Sequence, residues 1–294
     1  MINKTSEVYE IKKGDWSEDL DIMRTIEEFD LLVAAFKEKT KKECADIELA
    51  NTNPGIMDNK LGGIPFIPIG EEIPRSKDGE FMPLIMQINL AEAALPDWPQ
   101  KGILEIFGAD IYRTVPNEWA VRVFDGSLQH RSEDELPQLI TSITDRARGI
   151  IIGRKETYMP LNDYRFDACI KELIRKTYGD EILSCNYIDD YFEKNFDLGE
   201  HRIRSGVIRK VSWVDLLFQN TQCDITLGGY ADYTQTDPRT YSKSDYTECL
   251  FKIDSCYDSA KLYIGDAGII SGIIRKEDLA EGRLDKAEIS WDCC

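Results

Sequence analysis

The sequence predicts an α+β fold: a single compact unit of two related β-rich halves with helices, plus an N-terminal helix. Three observations predict it. One apolar stripe near the N-terminus keeps helical spacing, short β-branched and aromatic runs follow between glycines and prolines, and three sequence blocks recur in order at a nearly constant offset. The chain has 294 residues, 42% of them hydrophobic. That share excludes global disorder, and the length suffices for a full core without staples. The expected organisation is a helical segment over 1–52 packed on a main domain over 53–294. Its two repeats, about 55–125 and 220–294, are joined by a helical middle.

A helix is predicted over 17–47. Ser17 is a good N-cap, and Glu18 and Asp19 suit the positive end of the helix dipole. Ile22, Ile26, Phe29, Val33 and Phe36 recur at spacings of four, three, four and three, which makes one core-facing stripe. Lys37, Lys39, Lys41 and Lys42 fall late, where cations are favoured. Strands are expected within 83–90, 102–107, 119–124 and 150–152. Phe166, Ile170, Leu173 and Ile174 return to helical spacing over 165–178, with Gly179 placed to end that helix. A further helix is expected over 180–196, and strands and turns dominate from there on.

The recurring blocks carry the duplication. Leu61-Gly62-Gly63 returns as Leu227-Gly228-Gly229, an offset of 166. Ile85 to Asn89 returns as Leu250 to Asp254 at 165, and Gly102-Ile103-Leu104 as Gly268-Ile269-Ile270 at 166. A Gly-Gly pair permits positive φ and close backbone approach. Asn or Asp closing a strand accepts bonds from the next turn. Each piece makes a folding unit and none demands chemistry.

Charge narrows the partners. There are 36 lysines and arginines against 54 acids, a formal charge of −18. Such a field disfavours nucleic acid and anionic membranes, and it speeds association with a basic partner. The N-terminal MINKTSEVYEIKKGDW has no secretory pattern, and the apolar runs are too short to span a bilayer, so a cytoplasmic location is expected. Of eight cysteines (44, 169, 185, 223, 249, 256, 293 and 294), no pair forms CxxC, and buried reduced thiols are expected.

Candidate site residues are few. Tyr233, Gln235, Asp237 and Arg239 bring hydroxyl, amide, carboxylate and guanidinium groups onto one loop. That loop reads either as a binding surface or as one anchored by an internal salt bridge of Asp237 or Arg239. Asp254, Asp258 and Asp266 fit no calcium-loop spacing, and the Gly-Asp-Ala-Gly turn accounts for Asp266. His130 and His201 sit in polar loops where exposure is expected, with no nucleophile motif beside them. Neither GxxxxGK[ST] nor GxGxxG occurs, and no cofactor or metal is expected. Trp291 and Cys293 read as core plugs at the end of the chain.

These residues resemble the YwqG-like family of largely bacterial proteins. Its first half is matched by Gly62-Gly63-Ile64-Pro65, Gln87-Ile88-Asn89 and Gly102-Ile103-Leu104. Its second half is matched by Leu227-Gly228-Gly229, Thr234 to Arg239, Ile253-Asp254-Ser255, Gly265 to Gly268, Glu277-Asp278-Leu279 and Trp291 to Cys294. The resemblance covers about 55–294. Lys252 stands where the family tends to have Gln, Ile264 where Trp is expected, and Ser271 to Ile274 replace a more aromatic strand. The resemblance implies one α+β unit of two related halves and brings no established reaction. The functional expectation is a non-catalytic protein-binding module, sharpened to an immunity-type protein that neutralises a basic toxin. The alternative is an enzyme or small-ligand binder with a cleft between the halves, using Asp237, Arg239, Asp254 and Asp266. A housekeeping scaffold is the third reading.

Overall fold

The computed structural model describes residues 23–109, 117–144, 146–180, 187–202, 208–218, 224–255 and 262–293. In chain order come α1 (Ile26–Thr40), β1 (Lys42–Ala50), β2 (Lys60–Leu61), β3 (Leu84–Asn89), α2 (Leu90–Ala93), β4 (Ile103–Ala109) and β5 (Glu118–Phe124). Then follow β6 (Arg148–Thr157), α3 (Phe166–Tyr178), α4 (Ile188–Asn195), β7 (Glu200–Arg202), β8 (Ile208–Lys210) and α5 (Trp213–Leu217). Last are β9 (Ile225–Gly228), β10 (Glu248–Asp254), β11 (Ile269–Ile274), α6 (Lys276–Ala280) and β12 (Glu288–Asp292). The class is α+β. The chain divides into two units, one drawn from Met1–Thr40 and Arg165–Thr221, the other from Lys41–Tyr164 and Gln222–Cys294.

In the first unit, α1 buries Phe29, Leu32 and Phe36, while Ile26 and Val33 of the predicted stripe are half-buried. Its start is a reciprocal cap: Thr25 N donates to Glu28 Oε2 at 2.8 Å and Glu28 N to Thr25 Oγ1 at 3.4 Å. The predicted cap Ser17, and Ile22, lie outside the described residues. The helix is shorter than the 17–47 expected. It ends at Thr40, and β1 starts at Lys42. The reason is periodicity. Past Thr40 the apolar residues alternate, with Ala45 and Ile47 buried and Glu48 exposed between ladders on both sides. α3 matches its prediction, and Gly179 takes φ +80° at its end. The helix expected over 180–196 is α4, which starts at Ile188; residues 181–186 lie outside the described residues. Aromatic edges hold the unit together, with ring centroids 5.4 Å apart in Phe29–Phe192 and in Phe36–Phe166. Trp213 lies 4.8 Å from Phe192 and donates its indole N–H to Asp189 at 2.8 Å. β7 and β8 pair antiparallel, and α5 follows Ser212, whose hydroxyl caps Val214 N.

The second unit is one ten-stranded sheet in the order β12-β11-β10-β9-β1-β6-β2-β3-β4-β5, with every described ladder antiparallel. The centre is the β1–β6 pair, registered from Lys42↔Thr157 to Ala50↔Gly149. β1 also pairs with β9, and β6 with β2. The turn Leu284–Lys286 before β12 packs on β5, so the sheet curls until its two ends approach. One face carries the core, including Ala45, Ile47, Met86, Ile88, Leu104, Ile106, Leu227, Ile253 and Ile270. Asn89 closes β3 as anticipated, capping α2 through its side chain on Ala91 N.

Both glycine pairs adopt positive φ: Gly62 and Gly63 at 69° and 83°, Gly228 and Gly229 at 73° each. Gly268 answers a different need. A Cβ there would lie 2.4 Å from the Asp292 carbonyl and 2.6 Å from that of Ile264. Both are backbone oxygens, so the clash has no flexible side chain to absorb it. Gly268→Ala is expected to cost about 1–3 kcal/mol in urea unfolding; an unchanged midpoint would show that the turn can open without penalty.

Candidate functional site

The sheet's other face carries two largely buried polar rows, one toward each end of the sheet. Along the first, the register sets Lys60 beside Gln87, Gln87 beside Glu105 and Glu105 beside Arg122. Lys60 Nζ donates to the carbonyls of Gly55 at 2.7 Å and Ile56 at 2.9 Å. Gln87 Nε2 donates to Ile56 O at 2.8 Å and Asp58 O at 3.0 Å, while its Oε1 accepts from Phe66 N at 2.8 Å. The row thus fastens the two loops that flank β2. Burial drives both ionisable groups toward neutrality: the Lys60 ammonium falls to about 8, and the Glu105 carboxyl rises to about 8. At neutral pH Glu105 is an uncharged acid.

The second row sets Asp46 beside Thr226, Thr226 beside Lys252, Lys252 beside Ser271 and Ser271 beside Ser290. Here the loop is held by a hydroxyl. Ser271 Oγ donates to Asp232 O at 2.8 Å and accepts from Asp232 N at 3.2 Å. Charge is met with charge: Lys252 pairs with Asp224, and Lys155 reaches Asp46 at 2.6 Å and Asp224 at 3.0 Å. Burial opposes the Lys252 charge, but Asp224 and Asp232 outweigh it and the pKa is raised.

The residues singled out in the sequence fall into this second half. Tyr233, Gln235, Asp237 and Arg239 share one loop, and each makes contacts within the protein. Arg239 Nη2 meets Asp237 at 2.6 Å and Asp163 at 3.3 Å, with all three residues buried. Its guanidinium lies over Tyr164, 4.7 Å from the ring centroid, and Asp237 accepts from Tyr164 N at 3.2 Å. The internal-anchor reading of that loop describes these contacts. Tyr233 is buried, and its carbonyl accepts from Asn162 at 2.6 Å. Gln235 donates its backbone N–H to Asp292 Oδ2 at 2.9 Å and its side chain to Cys293 O at 2.6 Å. Asp254 stands by Asp224 and Lys252, and burial raises its pKa to about 6. Asp266 is exposed on the Gly265–Gly268 turn.

Two further expectations are corrected or bounded. His130 is half-buried rather than exposed: its ring packs 5.2 Å from Phe66 and Nδ1 meets Arg131 O at 2.8 Å. The isolated bridge between Pro68 and His130, invisible in local polarity, pulls it in. Asp258, the side chain of His201 and cysteines 185, 223, 256 and 294 lie outside the described residues. Cys44 and Cys249 are free and buried, and burial lifts their thiols to about 11 and about 12. Among the described residues no group of three or more His, Cys, Asp or Glu side chains could hold a metal ion.

A cavity lies away from the candidate site residues, beside the Gly62–Gly63 turn. It measures about 300 Å³ and opens between the Gly62–Gly63 turn and the segment from Glu133 to Ala147. A Cβ on Gly63 would stand 2.9 Å from that of Ala147, so glycine lets the two walls meet. Thr141, Thr144, Arg146, Glu133, Leu139 and Ile140 are among the lining residues. Ile140 is 83% exposed at the rim. Glu133 opens a 3-10 turn locked by Ser132 and Glu135, with Ser132 N donating to Glu135 Oε2 at 2.7 Å. The local signal was the Glu133-Asp134-Glu135 run. What hid the cavity is that its two walls are some seventy residues apart in sequence.

Fold and site together define a protein built on a curled antiparallel sheet with polar rows pinning its outer loops. Residues 59–293 match the family described as a domain of unknown function, DUF1963, and the chain belongs to that family. No curated protein matches the chain.

Two substitutions test this electrostatic framework. Asp237→Ala leaves Arg239 buried with Asp163 alone, and a loss of about 3–5 kcal/mol in urea unfolding is expected. Glu105→Gln bears on pH. The folded carboxyl titrates near 8 against 4.5 unfolded, so stability is whole below 4.5 and drains away as pH rises toward 8. Between pH 5 and pH 8 the wild-type urea midpoint is expected to fall relative to that of Glu105→Gln. Parallel midpoints would mean that Glu105 is ionised throughout.

Proposed function

We propose that the chain is a non-catalytic binding protein for a basic protein partner, acting as an immunity-type protein would on a toxin in the cytoplasm. The observation that supports this reading is where the charge goes. Much of the positive charge is held within the chain: Lys39 on Glu172, Lys42 on Glu248, Arg154 on Glu43, Lys155 on Asp46 and Asp224, and Arg239 on Asp163 and Asp237. The chain has a formal charge of −18, and Glu133, Asp134, Glu71 and Glu72 stand exposed. Such a field raises the on-rate of a basic partner and rejects acidic ones.

The sheet is read here as a strand-exchanged duplication. β1 begins the first half yet pairs with β9 of the second, and β6 begins the second yet pairs with β2 of the first. The partners of the equivalent Leu227 and Leu61 are Ala45 and Arg148, an offset of 103 against 166 afterwards. Arg165–Thr221, inserted in the second half alone, supplies most of the difference. The YwqG-like resemblance fits this reading.

The cavity favours a second function, small-ligand binding or catalysis, with Thr141, Thr144, Arg146 and Glu133 as contacts.

A tagged chain carried through the native cell extract, at low and at moderate salt, separates the two. A stoichiometric basic protein, released by salt and held several-fold less by Glu133→Gln/Asp134→Asn, is the expected result. A partner indifferent to salt and to those substitutions, or none, sinks the binding reading.

A further inference from the structure

The 300 Å³ cavity is lined by charges of both signs that do not pair with each other, Glu133 and Arg146. The Glu133 carboxylate makes no hydrogen bond or ion pair among the described residues. Lys60 lies close enough to feel its charge, but the Lys60 ammonium is held by the Gly55 and Ile56 carbonyls. Arg146 meets a neutral group, with Nη2 donating to Asn51 Oδ1 at 2.7 Å, so no carboxylate offsets its charge.

The other polar groups of the lining lean toward donors. The backbone N–H groups of Gly63 and Ile64 have no acceptor among the described residues. Thr141 is buried, and its Oγ1 accepts from Ile143 N at 3.1 Å, which leaves the hydroxyl proton to donate. Thr144 gives its proton to the Arg146 carbonyl at 3.0 Å. Leu139 and Ile140 add aliphatic surface.

Each ligand class meets this lining differently. An apolar guest answers neither charge. An anion suits Arg146 and the donors, but it takes water from Glu133 without replacing it. A cation suits Glu133 and leaves Arg146 and the two amides unmatched. A small zwitterion with an aliphatic tail answers every group, and backbone N–H groups are a recurrent means of capturing a carboxylate. We propose that the cavity binds a free aliphatic α-amino acid, with its carboxylate at Arg146, Gly63 and Ile64 and its ammonium at Glu133. This rests on the small-ligand reading of the cavity and names its ligand class.

The probes share one aliphatic body and differ in charge: leucine, isocaproate without the ammonium, and isoamylamine without the carboxylate. Each is titrated into the labelled full-length chain and followed by amide NMR. Leucine is expected to give saturable shifts centred on Gly62, Gly63, Ile64, Thr141 and Thr144, with each half-ligand about tenfold weaker. Glu133→Gln should weaken leucine and leave isocaproate unchanged. Arg146→Gln should weaken leucine and leave isoamylamine unchanged. Both side chains are exposed, and melting curves confirm that the variants fold. A half-ligand that binds as tightly as leucine, or full leucine affinity in both variants, overturns the zwitterion and leaves the cavity a ligand site. No saturable shift at the cavity with any of the three overturns the small-ligand reading too.

Discussion

Everything in the sheet hangs on the antiparallel pairing of β1 with β6. Nine residues on one strand face nine on the other, from Lys42↔Thr157 to Ala50↔Gly149. Four strands lie on either side. On their far edges β1 is bonded to β9 and β6 to β2. Unpaired edges invite association with other chains. The long central ladder removes that hazard by making the two halves a single hydrogen-bonded object.

The polar rows solve a second problem. A sheet whose outer face is covered by loops must satisfy the backbone groups of those loops without water. In the first half Lys60 and Gln87 do this by donating to carbonyls at positions 55, 56 and 58. The cost is an ammonium and a carboxyl held away from solvent, and the carboxyl answers by keeping its proton. In the second row a small hydroxyl, Ser271, ties the loop at Asp232, and the half-buried Lys252 is paired with Asp224. The two rows thus hold their loops with different electrostatics.

Recognition on such a scaffold falls naturally to the loops, since the sheet fixes them while their outer residues stay free to vary. Long-range attraction sets how often a charged partner arrives at such a surface, whereas short-range contacts set how long it stays.

Local patterning determined a good deal. The Phe29 to Phe36 stripe and the Phe166 to Ile174 stripe are helices because their spacing is helical, and Gly179 ends the second because only glycine takes φ +80° freely. The runs at 85–89 and 102–107 are strands, and both Gly-Gly pairs turn with positive φ. β1 escaped because a lysine-rich helix end runs directly into it, and its alternation from Ala45 to Leu49 is short enough to be absorbed into the preceding stripe. Arg239 and Asp237 were legible as a charged pair on a loop, but their burial depends on Asp163 and Tyr164, more than seventy residues away. The cavity likewise exists only because Ala147 returns to Gly63. The sequence by itself determined the elements whose signal repeats within one or two turns. The tertiary structure alone decided which strand pairs with which half, which charges are buried and where the surface opens, because those follow from contacts between residues that no local period connects.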